Sequence, residues 1–296
     1  MRQFFENMFF APKWFHFFII IPLIPFSLFY GSLMWLRRIF TKKIVYTTPI
    51  ISVGNLIVGG SGKTPFVIAL ASRYDEVTII SRGYGRQSKG LIEVSNKGQI
   101  LVSVEESGDE AMLMALSLGN ASVIVSENRE NAIALAQKKG TNRIILDDGF
   151  NRVNIKKFEI LLEPECIKNK LPFPAGALRE FYFSKKYANL VLKENRDFKR
   201  VVTIENTTER MLLVTAISNP KRLDTFLPKN IIGKIYLEDH AYFNKEELVE
   251  KMKAYNATSL LVTQKDAVKM QNFGIDLSVM NLKLKIENKI FKFIDK

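Results

Sequence analysis

The 296-residue chain has a single cysteine, Cys166, so neither an internal disulfide framework nor a cysteine-based zinc site is available to it. Two histidines, His16 and His240, are too few for a histidine-rich metal centre. Acid is in short supply, with 30 Asp and Glu against 43 Lys and Arg, a net charge of +13. Ten Pro and 16 Gly exclude collagen-like or low-complexity character. The remainder is ordinary for a folded protein: 47% hydrophobic and 25% charged residues exclude wholesale disorder. The length suggests about two domains. These absences leave a reduced, cytosol-facing, basic protein, whose charge suits nucleic acid, anionic lipid or a phosphorylated substrate.

The hydrophobicity is uneven. Trp14 to Leu36 contains no Asp, Glu, Lys or Arg. As a helix it would extend ~35 Å at about 1.5 Å per residue, enough to cross a hydrocarbon core. Trp14, Tyr30 and Trp35 lie near its ends, where amphipathic rings favour the interface. Arg37, Arg38, Lys42 and Lys43 follow and place that side in the cytoplasm. Pro22 and Pro25 predict a kink or a break. The run is too long for a cleaved signal peptide, and no A-x-A-like site follows. A spanning anchor and a kinked interfacial helix fit equally. A core helix of a soluble fold fits less well, given the density of Phe, Trp, Tyr and Ile.

From Pro49 onward short apolar runs alternate with helical stretches. Strands are expected at Ile50–Val53, Val77–Ser81, Ser122–Val125 and Arg143–Leu146, and helices at Lys63–Tyr74, Asp109–Leu118 and Glu127–Lys139. Leu91–Val94 and Ile100–Val104 read as a hairpin. This alternation predicts a mostly parallel, doubly wound sheet. Lys185 to Arg200 reads as a charge-rich connector, after which a smaller α/β unit begins near residue 200. Leu282–Ile286 and Ile290–Phe293 read as a closing hairpin. The expected organisation is therefore a hydrophobic anchoring segment over 1–43, a P-loop domain over 44–200 and a smaller α/β domain over 201–296. The fold class is α/β: a P-loop NTPase-like, doubly wound α/β/α domain, a second smaller α/β domain and an N-terminal membrane helix.

The strongest motif joins a strand to a helix, Ile51 through Pro65. Gly59, Gly60, Ser61 and Gly62 form a loop whose N–H groups can wrap a phosphate chain at a helix N-terminus. Lys63 can reach the β- and γ-phosphates, and the Thr64 hydroxyl can ligate Mg²⁺. The usual first glycine of G-x-x-x-x-G-K-[ST] would fall at 57, which is Ile here, so the loop is a variant. A second element, Arg143 to Gly149, is an apolar strand delivering Asp147 and Asp148 at its end, as a Walker-B position requires. By itself Asp-Asp-Gly is more often a turn; downstream of a phosphate loop it reads as a Mg²⁺ site. The cofactors expected are ATP and Mg²⁺.

At these residues the chain resembles the tetraacyldisaccharide 4′-kinase (lipid A 4′-kinase) family. Val53-Gly54-Asn55-Leu56 with Gly59-Gly60-Ser61-Gly62-Lys63-Thr64-Pro65 carries the resemblance. Ser81-Arg82-Gly83-Tyr84-Gly85-Arg86, Gly108-Asp109-Glu110-Ala111 and Asp147-Asp148-Gly149-Phe150 follow in order, then Pro174 to Glu180, Asp239-His240 and Thr263 to Ala267. Nearly the whole chain is covered. The resemblance implies transfer of the γ-phosphoryl of ATP to the 4′-hydroxyl of a tetraacylated glucosamine disaccharide 1-phosphate. The product is lipid IVA, a lipid A precursor, made at the cytoplasmic face of the inner membrane. It also implies two α/β/α domains with the active site in the cleft between them. Two positions depart from the family pattern: Asn151-Arg152 stand where Gln-His is common, and Gln264 where Glu is common.

Residue roles follow from the resemblance. Asp109 opens a predicted helix, where capping is the plainer reading; the family makes it the base and pairs it with the His of the Asp-His motif, here His240. Asp148 is the closer Mg²⁺ ligand of the aspartate pair with Asp147, and Glu110 assists. Arg179 is assigned to phosphate and Glu180 to holding Arg179 in place, with surface ion pairing as the alternative. Tyr84 and Arg129 are weaker candidates for substrate or phosphate contacts. The partners implied are the glycolipid and membrane lipids, with no obligate protein partner. A different class fits the phosphate loop, a membrane-tethered P-loop switch or assembly factor, but gives no reason for the Asp109/His240 pair. Nucleic acid binding rests on charge alone, without an aromatic-basic stripe. Residues 1–43 hold six Lys/Arg against one acid, and residues 150–200 hold twelve against six. The excess is therefore placed at the hydrophobic helix and around the Pro-Ala-Gly segment, suited to anionic headgroups and phosphorylated ligands.

Overall fold

The computed structural model describes residues 2–58 and 62–295. The architecture is mixed α/β, as the alternation predicts, and its contacts divide it into two compact units. The first comprises residues 1–63, 143–199 and 286–296; the second comprises 64–142 and 200–285.

In the first unit four strands run parallel in the order Arg143–Asp147, Ile50–Gly54, Phe158–Glu163 and Leu190–Lys193. All five residues of Ile50–Gly54 are buried, the mark of a parallel strand covered on both faces. It ends at Gly54, where a Cβ would lie 2.5 Å from the Phe150 Cβ, so only glycine admits the loop that carries Asp147 to Phe150. The expected connector at Lys185 to Arg200 is instead a 3₁₀ helix, Tyr182–Tyr187, the strand Leu190–Lys193 and the start of Phe198–Glu205. Its charges sit on short elements whose alternate residues are covered. The closing hairpin is also replaced: Leu277–Ile286 is one ten-residue strand and Asn288–Ile294 is a helix. Ile290 and Ile294, four apart, are its buried residues, which is helical rather than strand spacing.

The N-terminal segment forms a helix, Arg2–Phe10, a 3₁₀ turn, Trp14–His16, and a continuous helix, Phe17–Phe40. Pro22 and Pro25 lie inside it without ending it. The span Trp14–Phe40 has a mean hydropathy of 2.0 in its most apolar window, of which only 17% is buried, unlike a core helix. The buried positions, Ile20, Ser27, Gly31 and Arg38, form one narrow stripe. Ser27 Oγ donates to the Pro172 carbonyl and accepts from the Ala175 N–H, both at 2.8 Å. Gly31 lies against the Phe181 ring. The Pro-Ala-Gly motif is thus the seat of the long helix.

In the second unit Val77–Ser81 pairs in parallel with Ser122–Val125, which pairs antiparallel with Ile92–Asn96. Ile92–Asn96 does turn back on a second strand, but that strand is only Gln99–Ile100. Val104–Ser107 is helical instead, because Ser103 and Glu106 close a capping box over its first turn. Helix Arg129–Lys138 is capped by Asn128. The second sheet has the order Ile231–Tyr236, Met211–Thr215, Ser259–Thr263, Leu277–Ile286 and Phe198–Glu205, the first four parallel. Pro220–Phe226 is a 3₁₀ helix, and Lys245–Tyr255 is capped by Asn244 and ended by Asn256 in the left-handed conformation. Leu212, Val214, Leu260, Val262 and Leu248 form its core.

Gly54→Ala is expected to destabilise the protein by about 1–3 kcal/mol by overpacking against Phe150. Urea denaturation in neutral detergent checks it; an unchanged midpoint would mean that the loop has room to move.

Candidate active site

In the first unit the chemistry gathers where Ile50–Gly54 and Arg143–Asp147 end side by side. Gly59, Gly60 and Ser61 lie outside the described residues. Gly62 has a φ of 73°, and Lys63 opens the helix Lys63–Ala71, with Thr64 buried in its first turn. Buried Asn55 follows the strand, and its Oδ1 accepts from Lys63 Nζ at 3.4 Å. Its buried Nδ2 has no hydrogen-bond partner among the described residues. A buried amide donor beside a phosphate loop is met by an anionic oxygen, so the residues present fit a nucleotide phosphate.

Asp147 is buried at the strand's end. Asp148 follows in the left-handed region, φ 52°, which Asp tolerates at a modest cost. Its carboxylate accepts from Arg179 Nη1 at 3.0 and 2.8 Å and lies 3.6 Å from Lys63 Nζ. Burial pushes the Asp148 carboxyl up, but the Lys63 and Arg179 charges outweigh it and hold the group below its ordinary value. Among the described residues no three His, Cys, Asp or Glu side chains gather into a cage. Mg²⁺ commonly takes one or two carboxylates plus substrate phosphates, which Asp147 and Asp148 suit.

Glu180 does not hold Arg179. It forms a bidentate pair with Arg38, with Nε–Oε2 at 2.8 Å and Nη2–Oε1 at 2.6 Å. Arg38 also donates to the Phe150 carbonyl at 3.0 Å and lies over the Phe150 ring, 4.3 Å from its centroid. Sequence reasoning took Arg38 as an interfacial cation; it is buried. The signal available was its place on the helix stripe, seven residues after Gly31.

In the second unit Gly108, with a φ of 83°, lets the chain turn from one short helix into Asp109–Ser117. Asp109 is therefore the first residue of that helix, and Gly108, not Asp109, holds the cap position. His240 Nδ1 lies 3.0 Å from both Asp109 oxygens. Lys269 Nζ lies 2.9 Å from Asp109 Oδ2, with both side chains buried. Lys265 Nζ lies 3.7 Å from Asp109, 3.4 Å from Glu110, 3.7 Å from Asp239 and 3.4 Å from His240 Nε2. Asp109 thus faces Nδ1 of His240, and Lys265 and Asp239 face Nε2, the latter at 3.8 Å. Glu110, expected near Mg²⁺, makes its ion pair with Lys265.

The fold holds this arrangement from beneath. Buried Asp266 accepts from the Thr215 and Thr263 hydroxyls, both at 2.6 Å, and from the Ala216 N–H at 3.1 Å. The Ala216 carbonyl then accepts from the His240 N–H at 3.1 Å. His240 has a φ of 64°, a left-handed position fixed by these bonds. Gln264 Oε1 accepts from the Leu282 N–H at 3.0 Å, a task an amide performs as well as a carboxylate. Tyr84 is exposed, its ring 5.1 Å from that of His240. Arg129 is buried and donates to the Ser126 carbonyl. Lys265 stood in the Thr263 to Ala267 motif without a role and Lys269 was passed over; their spacing of four, just after Thr263, is the signal that puts both on one side of a helical turn.

Burial raises the Asp109 carboxyl, while the His240 hydrogen bond and the Lys265 and Lys269 charges more than reverse this and hold it well below the carboxylate range. A depressed pKa contributes stability that is full above the unfolded value, about 3.9, and is lost as pH falls through the folded one. Asp109→Asn leaves the buried Lys269 ammonium without its carboxylate and is expected to cost about 3–5 kcal/mol near neutral pH. In denaturation curves taken from neutral pH downward, the gap from the parent should narrow only in strong acid. A gap that closed by pH ~6, above even the unfolded carboxylate range, would contradict the assignment.

A strand-to-helix phosphate loop closing on Lys63, in a chain that also keeps a buried carboxylate against an imidazole, is the equipment of a P-loop kinase. Comparison with known proteins agrees and is more specific. A family model described as Tetraacyldisaccharide-1-P 4′-kinase matches residues 19–296. The tetraacyldisaccharide 4′-kinase of Helicobacter pylori strain 26695 is 50% identical over 296 residues, covering 99% of this chain and 94% of the relative. That of Aliarcobacter butzleri strain RM4018 is 48% identical, covering 96% and 93%. A crystal structure of LpxK from Aquifex aeolicus in complex with ATP has a TM-score of 0.79 at 30% identity, covering 94% of this chain and 98% of that one. The chain belongs to the tetraacyldisaccharide 4′-kinase family.

Proposed function

We propose that the protein transfers the γ-phosphoryl group of ATP to the 4′-hydroxyl of a tetraacylated glucosamine disaccharide 1-phosphate, giving lipid IVA. The carrying observation is the Asp109–His240 pair in a chain whose family match runs nearly end to end. A switch or assembly factor has no use for a buried carboxylate fixed by an imidazole and two ammonium groups.

Each residue has a task. The glycine-rich loop and Lys63 bind the β- and γ-phosphates of ATP, and Arg179 supplies further positive charge to the transferring group. Asp147 and Asp148 would hold Mg²⁺, with the Thr64 hydroxyl as a further candidate ligand, and the ion would supply neutralisation of phosphate charge. Asp148, tied here to Lys63 and Arg179, would serve as a metal ligand, and Lys63 and Arg179 supply positive charge for phosphate. Asp109 receives the hydroxyl proton and aims the attacking oxygen. His240 and Lys269 fix its carboxylate, and Lys265 links it to Glu110 and Asp239. In a loose transition state the proton leaves late, so an ionised, well-aimed acceptor matters more than a strongly basic one. The apolar helix anchors the protein at the cytoplasmic face of the inner membrane, where the acylated substrate resides.

Purified protein with Mg·ATP and the tetraacyl disaccharide 1-phosphate is expected to give a 4′-phosphorylated product. Lys63→Ala and Asp109→Ala should each lower the rate by about 10²–10⁴-fold. ATP hydrolysis at full rate without lipid phosphorylation would favour the switch reading instead.

A further inference from the structure

The 3₁₀ helix Tyr182–Tyr187 is tied to the end of the long apolar helix. Trp35 Nε1 donates to Tyr187 Oη at 3.3 Å, and the Trp35 ring meets Phe183 edge-on, centroids 6.3 Å apart. Trp35 stands at the end of the apolar run, beside the exposed Leu36 and Phe40. Phe183 is itself exposed and stacks on Phe181 at 5.2 Å. An exposed aromatic pair at the end of an apolar helix marks the level at which hydrocarbon gives way to headgroups.

At that level lies an open cleft of about 660 Å³, lined by Phe183, Lys185, Lys186, Lys193 and Arg196 around Glu163. Glu163 is shared by Lys185, at 3.5 Å, and Lys193, at 3.1 Å. Arg196 pairs with Asp197 at 2.6 Å. Lys186 has no carboxylate partner among the described residues; its ammonium sits 5.4 Å from the Phe183 ring centroid and 5.3 Å from that of Tyr187. Four cations thus face two carboxylates, and the least compensated one lies over the exposed Phe183 ring. None of these residues takes part in the phosphate loop or the Asp109 cluster.

We propose that this cleft binds the headgroup phosphate of an anionic phospholipid, a second membrane contact beside the apolar helix. The cations supply charge-assisted hydrogen bonds to the phosphate, and Phe183 enters the acyl boundary next to it. The proposal rests on the membrane-associated reading of the protein given above. It differs from the headgroup attraction expected of the helix-flanking cations, because Arg38 is consumed by Glu180 and the cleft belongs to the folded domain.

The full chain, reconstituted into nanodiscs of phosphatidylcholine or of an equal mixture with phosphatidylglycerol, is acylated with an amine reagent, and each lysine is followed by mass spectrometry. Lys185, Lys186 and Lys193 should react about five-fold more slowly in the mixed discs, the worth of one basic residue at an anionic surface. The exposed Lys221 and Lys229 serve as references and should not change, and added salt should abolish the difference. Equal rates in the two discs overturn the proposal. So does equal protection in neutral micelles by inorganic phosphate, which would make the cleft a simple anion site. Protection by the disaccharide 1-phosphate in phosphatidylcholine alone would assign the cleft to the substrate and overturn it as well. A chain that enters neither disc overturns the membrane reading together with this one; a chain that enters both and labels equally overturns this one alone. The double variant Lys186→Glu, Lys193→Glu should keep its kinase activity in neutral micelles and lose the protection of Lys185. Loss of activity there would place the cleft in catalysis and count against the proposal.

Discussion

The pair between Arg38 and Glu180 is the tie on which the first unit depends. It joins three things that the chain keeps far apart: the end of the apolar helix, the segment after the Pro-Ala-Gly motif, and, through the Phe150 carbonyl, the loop bearing Asp147 and Asp148. Both side chains are buried, so each charge is tolerable only while the other is present. Removing one partner leaves an uncompensated ion and typically costs about 3–5 kcal/mol, a large share of a domain's stability. The bidentate geometry also fixes direction, which a greasy contact could not do. Helix attachment and the shape of the acidic loop are therefore one constraint rather than two.

The two charged clusters use opposite strategies. Asp148 stands between two cations and is partly open, so it remains within reach of a ligand. Asp109 is buried against an equally buried ammonium, Lys269, and fixed on another side by His240. The first arrangement suits a ligand that arrives and leaves with every turnover. The second suits a group whose aim must not change. Backbone strain accompanies both, since Asp148 and His240 each sit in the left-handed region.

Much of the architecture was legible because the evidence for it is local. The strands Val77–Ser81 and Ser122–Val125 are short apolar runs, and the helix Arg129–Lys138 carries its own cap, Asn128. The phosphate loop and the aspartate pair announce themselves by residue type and order. The misses have a common cause in long-range partnership. Leu190–Lys193 looks like a charged linker until it pairs with Phe158–Glu163. The helix Asn288–Ile294 resembles a strand until its two buried isoleucines are seen four apart. Arg38 and Glu180 are separated by 142 positions, and nothing near either one names the other. Lys265 and Lys269 needed Asp109, more than 150 residues earlier, to acquire a meaning.

The long helix buries only Ile20, Ser27, Gly31 and Arg38 against the domain, and Tyr30, Trp35 and Arg37 add contacts at its edge. Its grip combines a hydroxyl, a missing side chain and an ion pair with the apolar contact of Ile20 against Met8 and Ala175. One helix therefore carries two kinds of position: a stripe whose small, hydroxyl and charged side chains are dictated by the domain it packs on, and exposed apolar positions for which hydropathy alone is specified.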